Sequence, residues 1–215
     1  MKQFVVIGLG RFGTSVACNL VKNGYDVLAI DKDEGKVQNI IETVTHAVEA
    51  DATDEKALRT LGISNFEVGV VSIGDDLHAS ILATLILKEM GVGYVVAKAQ
   101  NELHGKVLNK VGADRVVYPE NDMGARLAQN LISTNVLDFI EFAPDYSVIE
   151  IRPTNFMVGK SLAELDLRSK YNVNVMAIKR GEHMNMTPGA EDKILEEDLL
   201  IVMGKNDNLD KVKDL

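Results

Sequence analysis

Three glycines near the start of the chain, Gly8, Gly10 and Gly13 in the run "FVVIGLGRFG", carry the G-x-G-x-x-G spacing that brings a backbone close to a phosphate. The first glycine permits a sharp exit from a strand. The second leaves no Cβ between backbone and ligand, and the third lets the following helix pack closely on the strand. The N-terminus of that helix presents unpaired N–H groups and a partial positive charge to an anion. Asp31 stands 18 residues beyond Gly13, at the end of the next β-branched run. There a carboxylate can accept both ribose hydroxyls and would repel a 2′-phosphate; Lys32 beside it weakens that repulsion. Arg11, inside the loop, either reaches a terminal phosphate or stays solvated. Two more apolar runs end in residues that would join the same crevice: "ADAT" with Asp51, Ala52 and Thr53, and "SIGDD" with Ser72, Ile73, Gly74, Asp75 and Asp76. Asp51 and Asp76 are also placed to cap the helices that follow, and the two roles are compatible.

Machinery to transform a bound nucleotide is not visible. Tyr94 and Lys98 have the Y-x-x-x-K spacing of short-chain dehydrogenases, a chemistry that needs both side chains on one helix face, about 6 Å apart. "GYVVAKA" is a β-branched run, and four strand steps would separate the two residues by about 13 Å. His46, His78, His104 and His183 show no metal-ligand spacing, and no G-x-S-x-G occurs. Cys18 reads as a small core residue, and the methionines of "HMNMTPG" as core or interface filler.

Such a loop must be held by a sheet, and the first half of the chain supplies one. The runs "QFVVIG", "DVLAID", "THAVEAD", "VGVVSIG", "YVVAKA" and "DRVVYP" alternate with amphipathic stretches. Strands apolar on both faces, alternating with helices, predict a Rossmann-like doubly wound parallel sheet of six strands. Gly24, Gly62, Gly91 and Gly112 fall just after the predicted helices, where a left-handed C-cap favours glycine. The stretch "ENDMGARLAQNLISTNVLDFI" reads as a longer helix. Beyond it, "YSVIEIRP", "VNVMAIKR" and "DLLIVMG" read as strands, and "SLAELDLRSKY" and "NDNLDKVKDL" as helices. The expected organisation is a nucleotide-binding domain over residues 1–135, with a crossover helix at its end, and a small α+β domain over residues 136–215. The stretch from Asp76 to Gly91 is apolar on more than one stripe, at Leu77, Ile81, Leu82, Leu85, Ile86 and Leu87. A helix covering one sheet face needs only one stripe, so either a second subunit or deep burial within the chain covers the excess.

A net charge of -9 argues against nucleic acid as the primary partner. The single cysteine excludes an internal disulfide and fits a reducing compartment. No signal peptide is expected, since Met1 leads directly into a strand-like run. No apolar run approaches the roughly 20 residues of a bilayer span, so any link to a membrane runs through a partner.

Taken together, "FVVIGLGRFGTSVA", "ADATDEKALRTLGI", "VVSIGDDLHASILATLILKEMG", "VVAKAQNELHGKVLNKVGADRVVYPENDMG" and "GKSLAELDLRSKYNVNVMAIKRG" resemble the cytosolic regulatory subunits of bacterial potassium uptake systems. These are the KtrA/TrkA type, built on the "regulator of potassium conductance" (RCK) domain, and one N-terminal plus one C-terminal module is most similar to the KtrA kind. The resemblance implies a homodimer that assembles into an octameric ring beneath a membrane potassium channel or transporter subunit (KtrB/TrkH-like), cytoplasmic and peripheral to the membrane. It implies ATP, ADP or NAD(H) as a regulatory ligand at Gly8, Gly10, Arg11, Phe12, Gly13, Asp31, Lys32, Asp51, Ala52, Thr53, Ile73, Gly74 and Lys98. It implies a cation at the dimer interface near Glu120, and cyclic di-AMP at Leu162, Arg168, Asn174, Val175 and Pro188, where a plain dimer interface is the alternative. A nicotinamide-dependent oxidoreductase is the alternative function and would need a positioned proton donor. A DNA-binding regulator would need a basic helix-turn-helix.

Overall fold

The computed structural model describes residues 2–132, 136–143, 145–213 and 215. The chain forms two compact units, Met1–Pro119 and Glu120–Leu215. The boundary expected at 135/136 borders residues 133–135, which lie outside the described residues.

In the first unit six strands alternate with helices: β1 (Gln3–Ile7), α1 (Arg11–Lys22), β2 (Asp26–Asp31), α2 (Glu34–Ile40), β3 (His46–Glu49), α3 (Glu55–Thr60), β4 (Val68–Val71), α4 (Leu77–Glu89), β5 (Tyr94–Lys98), α5 (Glu102–Lys110) and β6 (Arg115–Val117). The strands pair in parallel in the order β3-β2-β1-β4-β5-β6. This is the doubly wound sheet that the apolar runs predict, and each of the six runs is a strand. Period-2 alternation divides the strand residues between two cores. Val5, Ile7, Leu28, Ile30, Val71 and Val95 pack with Leu58, Leu87 and Leu108 of α3, α4 and α5. Val6, Val27, Ala29 and Val70 pack with Ala17, Val37 and Ile40 of α1 and α2. Both faces are thus covered, and each fully buried Val, Leu or Ile contributes about 1.5–3 kcal/mol.

Short polar side chains set where the helices begin. Asp33, Asp54, Asp76 and Asn101 accept backbone N–H bonds at the starts of α2, α3, α4 and α5. Asp76 therefore caps as expected. Asp51 does not; the cap of α3 is Asp54, three residues on, because Asp51 turns back on Thr53. On α4, Ile86 and Leu87 are buried while Ile81, Leu82 and Leu85 remain half-buried and Leu77 is exposed. Cys18 is half-buried against the α1/α2 core.

The second unit contains α6 (Pro119–Ile132), β7 (Val136–Ala143), β8 (Tyr146–Ile151), α7 (Leu162–Leu165), α8 (Leu167–Tyr171), β9 (Val173–Arg180), β10 (His183–Asn185), β11 (Asp198–Lys205) and α9 (Asn206–Lys213). Pro119 itself closes the first unit. The five strands form an antiparallel sheet in the order β10-β9-β11-β8-β7. Two strands here differ from the expectation. The predicted long helix ends at Ile132, and residues 136–143 form β7 instead, paired with β8 from Ala143↔Tyr146 to Val136↔Ile151. The hairpin satisfies their backbone groups with a sequence-adjacent neighbour. The "HMN" run adds β10 as an edge strand. The single helix expected over "SLAELDLRSKY" is broken into α7 and α8 by Asp166, at φ 47°, a left-handed conformation that ends a helix.

Inside this sheet sits Asp198, a carboxylate with no exposure. Arg180 donates to it through Nε (2.7 Å to Oδ1) and Nη2 (2.9 Å to Oδ2), and the Leu195 N–H donates to Oδ2 at 2.8 Å. The Arg180 guanidinium, ahead of the Leu195 N–H, holds the Asp198 carboxyl below the usual carboxylate range, against the burial that opposes ionisation. In the first unit His104 of α5 is buried, its Nδ1 accepts the Gln100 N–H at 3.3 Å, and burial pushes its pKa down.

Both depressed values make acid destabilising, in separate windows. Asp198 stabilises the fold above the ordinary carboxylate pKa of about 4, and that contribution is lost as pH falls through its lowered value. Arg180→Ala should therefore lower the thermal midpoint markedly at neutral pH, with the gap to wild type closing on acidification below about pH 4. His104 favours the fold while neutral, so stability should fall as pH drops below about 6.5, and His104→Asn should remove part of that slope in urea denaturation.

Candidate functional site

The chain crosses from the β3-β2-β1 half of the first sheet to the β4-β5-β6 half between β1 and β4, and the loops at the carboxyl ends of these two strands frame the crevice. Gly8 leaves β1 with its N–H bonded to the Ile30 carbonyl at 2.8 Å and with φ +92°. A Cβ there would stand 2.9 Å from the Ile73 nitrogen and from the Ser72 carbonyl carbon. A Cβ on Gly13 would run into the Gly8 carbonyl oxygen and approach Ser72 Oγ to 2.9 Å. The first and third glycines are thus required by β1, β4 and α1 packing on one another.

Gly10 differs. Its φ of -70° suits any residue, and nothing lies within 4 Å of the position a Cβ would take. It is the N-cap of the 12-residue α1, with no side-chain cap and no acidic residue in the first turn. The leading N–H groups of α1 therefore have neither an intrahelical acceptor nor a capping side chain, beside open space at the switch point. Arg11 is exposed and Phe12 half-buried at the start of this helix.

Asp31 is 7% exposed. Its Oδ2 accepts the Leu9 N–H at 2.6 Å, its Oδ1 accepts the Asp33 N–H at 3.0 Å, and Lys36 Nζ lies 3.5 Å from Oδ2. The residue chosen from the sequence for a ribose also ties the glycine loop to the end of β2. Each carboxylate oxygen has two lone pairs; Oδ2 already meets the Leu9 N–H and the Lys36 ammonium, so one acceptor site remains, on Oδ1. Lys32 is exposed beside it. The Ala50 N–H bonds to the Asp31 carbonyl at 3.0 Å, bringing the β3 end alongside. There Ala52 is buried, and Asp51 Oδ1 accepts both the N–H (2.9 Å) and the hydroxyl (2.7 Å) of Thr53. Those two bonds hold the Asp51 carboxyl below its usual pKa.

Across the switch point, Ile73 and Gly74 are half-buried, and Lys98 Nζ at the end of β5 reaches to 3.7 Å from where a Gly74 Cβ would stand. The Lys98 ammonium thus overhangs the β4–α4 loop. Tyr94 lies at the opposite end of the same strand, so the dehydrogenase pairing fails on geometry as its sequence context implies. Ser72 Oγ and His104 Nε2 are buried and make no hydrogen bond to the protein. The sequence placed Ser72 at the end of this strand and His104 outside any metal-ligand spacing, but their burial and orphaned bonding arise only from packing. Glu120 is exposed in the first turn of α6, in the second unit. Among the described residues no group of three or more His, Cys, Asp or Glu is placed to hold a metal ion.

In the second unit Leu162 opens α7, Arg168 is exposed in α8, and Asn174 and Val175 lie near the start of β9. Pro188 follows β10 in a loop bonded to the start of α7, the Ala163 N–H donating to the Ala190 carbonyl at 2.8 Å. Leu162 and the Pro188 loop are therefore neighbours, although 26 residues separate them in sequence.

Residues 4–119 match the TrkA-N domain and residues 147–215 the TrkA-C domain. The chain is 48% identical to Ktr system potassium uptake protein C of Bacillus subtilis (strain 168), over 94% of this chain and 92% of that protein. It is 38% identical to Ktr system potassium uptake protein A of Vibrio alginolyticus, over 100% and 98% of the two chains. The fold is shared with the GsuK RCK domain, with a TM-score of 0.71 at 17% identity; all of this chain is covered, and 47% of that one. A GsuK channel bound to NAD superposes with a TM-score of 0.69 at 16% identity, over 100% and 39% of the two chains. Both domains match in order, and the likeness to proteins named for potassium uptake runs nearly end to end; the chain belongs to the Ktr/TrkA family of RCK potassium uptake proteins.

Proposed function

We propose that this chain is a regulatory subunit of a bacterial potassium uptake system, holding an adenine nucleotide at the Gly8–Gly13 loop as a signal and leaving it chemically intact. The observation that carries this is Gly10: open space faces an uncapped helix N-terminus at the switch point, with Asp31 buried beside the loop. The phosphates lie against Gly10 and the start of α1, the ribose takes the remaining Asp31 acceptor on Oδ1, and Asp51, Ala52 and Thr53 flank the adenosine. Arg11 and Lys98 supply positive charge for the terminal phosphate of ATP or ADP, and NAD(H) is the other ligand of this class. Asp31 favours nucleotides without a 2′-phosphate.

The partner is a membrane potassium channel or transporter subunit (KtrB/TrkH-like). It holds this protein at the cytoplasmic face; among the described residues no helix is long and apolar enough to cross a membrane. The half-buried Ile81, Leu82 and Leu85 and the exposed Leu77 of α4 support burial by further copies in a dimer-based, octameric ring. Glu120 is the proposed cation ligand at the dimer interface. In the C-terminal domain, Leu162, Arg168, Asn174, Val175 and Pro188 form a half-site for cyclic di-AMP, the apolar side chains against adenine and Arg168 against phosphate. Sensing requires that the ring bind each ligand with different affinity in its two conformations, since equal affinity shifts nothing.

Calorimetry with ATP, ADP, NADH and cyclic di-AMP on the purified full chain tests the proposal. Adenine nucleotides should bind without turnover; absence of binding, or steady oxidation of NADH, would overturn it. Gly10→Asp adds a carboxylate where no protein atom stands. It should weaken ADP by more than about tenfold, equivalent to about 1.4 kcal/mol, and leave the thermal midpoint unchanged. Gly13→Ala should instead lower the midpoint, because its Cβ meets the Gly8 carbonyl.

A further inference from the structure

The loop that carries Pro188 is exposed at Met186, Thr187, Gly189, Ala190 and Glu191, so hydrophobic burial does little to hold it. A free loop would lose backbone entropy at every residue on being ordered by a ligand. Hydrogen bonds order it beforehand, and they converge on one residue. Asp192 Oδ2 accepts from Asn185 Nδ2 at 2.9 Å and from the Gly189 N–H at 2.8 Å. The Asp192 N–H donates to the Gly189 carbonyl at 3.1 Å, and its own carbonyl accepts the Leu162 N–H at 3.1 Å. Asn185, the last residue of β10, closes the other side of the loop, its Oδ1 accepting the Thr187 N–H at 3.2 Å.

Asp192 is anchored in turn. Two residues on, Ile194 is fully buried in the core of this domain, its N–H donating to the Lys160 carbonyl at 2.9 Å and its carbonyl accepting the Gly159 N–H at 2.8 Å. Asp192 thus stands where a core-anchored segment gives way to an exposed loop, bonded on one side to the loop of Pro188 and on the other to the residue that opens α7.

We propose that Asp192 is the positioning residue of the cyclic-dinucleotide half-site: it sets the spacing between Leu162 and Pro188, two of the apolar side chains that grip an adenine. This rests on the proposed binding of cyclic di-AMP to the C-terminal domain. Asp192 does not itself read the ligand, since a carboxylate repels a phosphodiester. Its work is preorganisation, removing an ordering cost from the binding step.

The test is cyclic di-AMP and ADP titration of the full chain as wild type, Asp192→Ala, Asp192→Asn and Asn185→Ala, with thermal midpoints for each. Asp192→Ala should weaken cyclic di-AMP about tenfold or more with ADP affinity unchanged, because only the C-terminal loop loses its order. Asp192→Asn keeps an oxygen that can accept from Gly189 and Asn185, so affinity should return to within about threefold of wild type. Asn185→Ala, which loses the bonds of Asn185 to Asp192 and Thr187 but keeps that of Gly189 to Asp192, should fall between them. Wild type that binds ADP but no cyclic di-AMP overturns the ligand reading itself. If wild type binds cyclic di-AMP, three results overturn the role of Asp192 alone: unchanged affinity in Asp192→Ala, equal losses in the Ala and Asn variants, or ADP and cyclic di-AMP affinities falling together with the midpoint.

Discussion

The first unit depends on a steric constraint at one crossing: the Gly8 carbonyl oxygen occupies the space that a side chain on Gly13 would fill. Only with that space free can α1 lie against the end of β1, and only then does its N-terminus point into the gap between β1 and β4. Asp31 completes the arrangement from the next strand by accepting the Leu9 N–H, so the loop is held on one side by packing and on the other by a short charge-assisted bond. The middle glycine is left free of structural duty. Closing the fold falls to the first and third glycines, and the second takes no part in that packing.

The second unit uses different physics. Its sheet is antiparallel and carries, where β9 ends and β11 begins, an ion pair between half-exposed Arg180 and buried Asp198, in which every Asp198 oxygen is matched by a donor. Its surface loops are ordered by side-chain-to-backbone bonds, with Asp192 as the clearest case. Each unit has an apolar core of its own.

Much of this was legible in the residue order. Each β-branched run of the first half became a strand, and Gly24, Gly62, Gly91 and Gly112 all adopted positive φ after their helices. A parallel sheet with both faces covered writes itself as near-continuous apolar runs, which are hard to mistake. The second half was less legible because its strands are half-polar. Val136, Leu137, Phe139 and Ile140 continue the helical apolar spacing of the preceding stretch, and only pairing with β8 makes them a strand. Asp166 takes a left-handed conformation that no glycine announced, and so splits one expected helix into two.

The sequence by itself determined the doubly wound architecture, the place of the phosphate-type loop and the family, because these depend on glycine spacing and on apolar periodicity, both local in the chain. Only the tertiary structure decided which glycine faces open space. It also showed that Asp31 tethers the loop, that Asp54 and not Asp51 caps α3, and that Asp192 links Leu162 to the loop of Pro188. Each of these is a relation between residues distant in sequence, set by which backbone N–H groups packing leaves within reach of a carboxylate, and no local pattern records that.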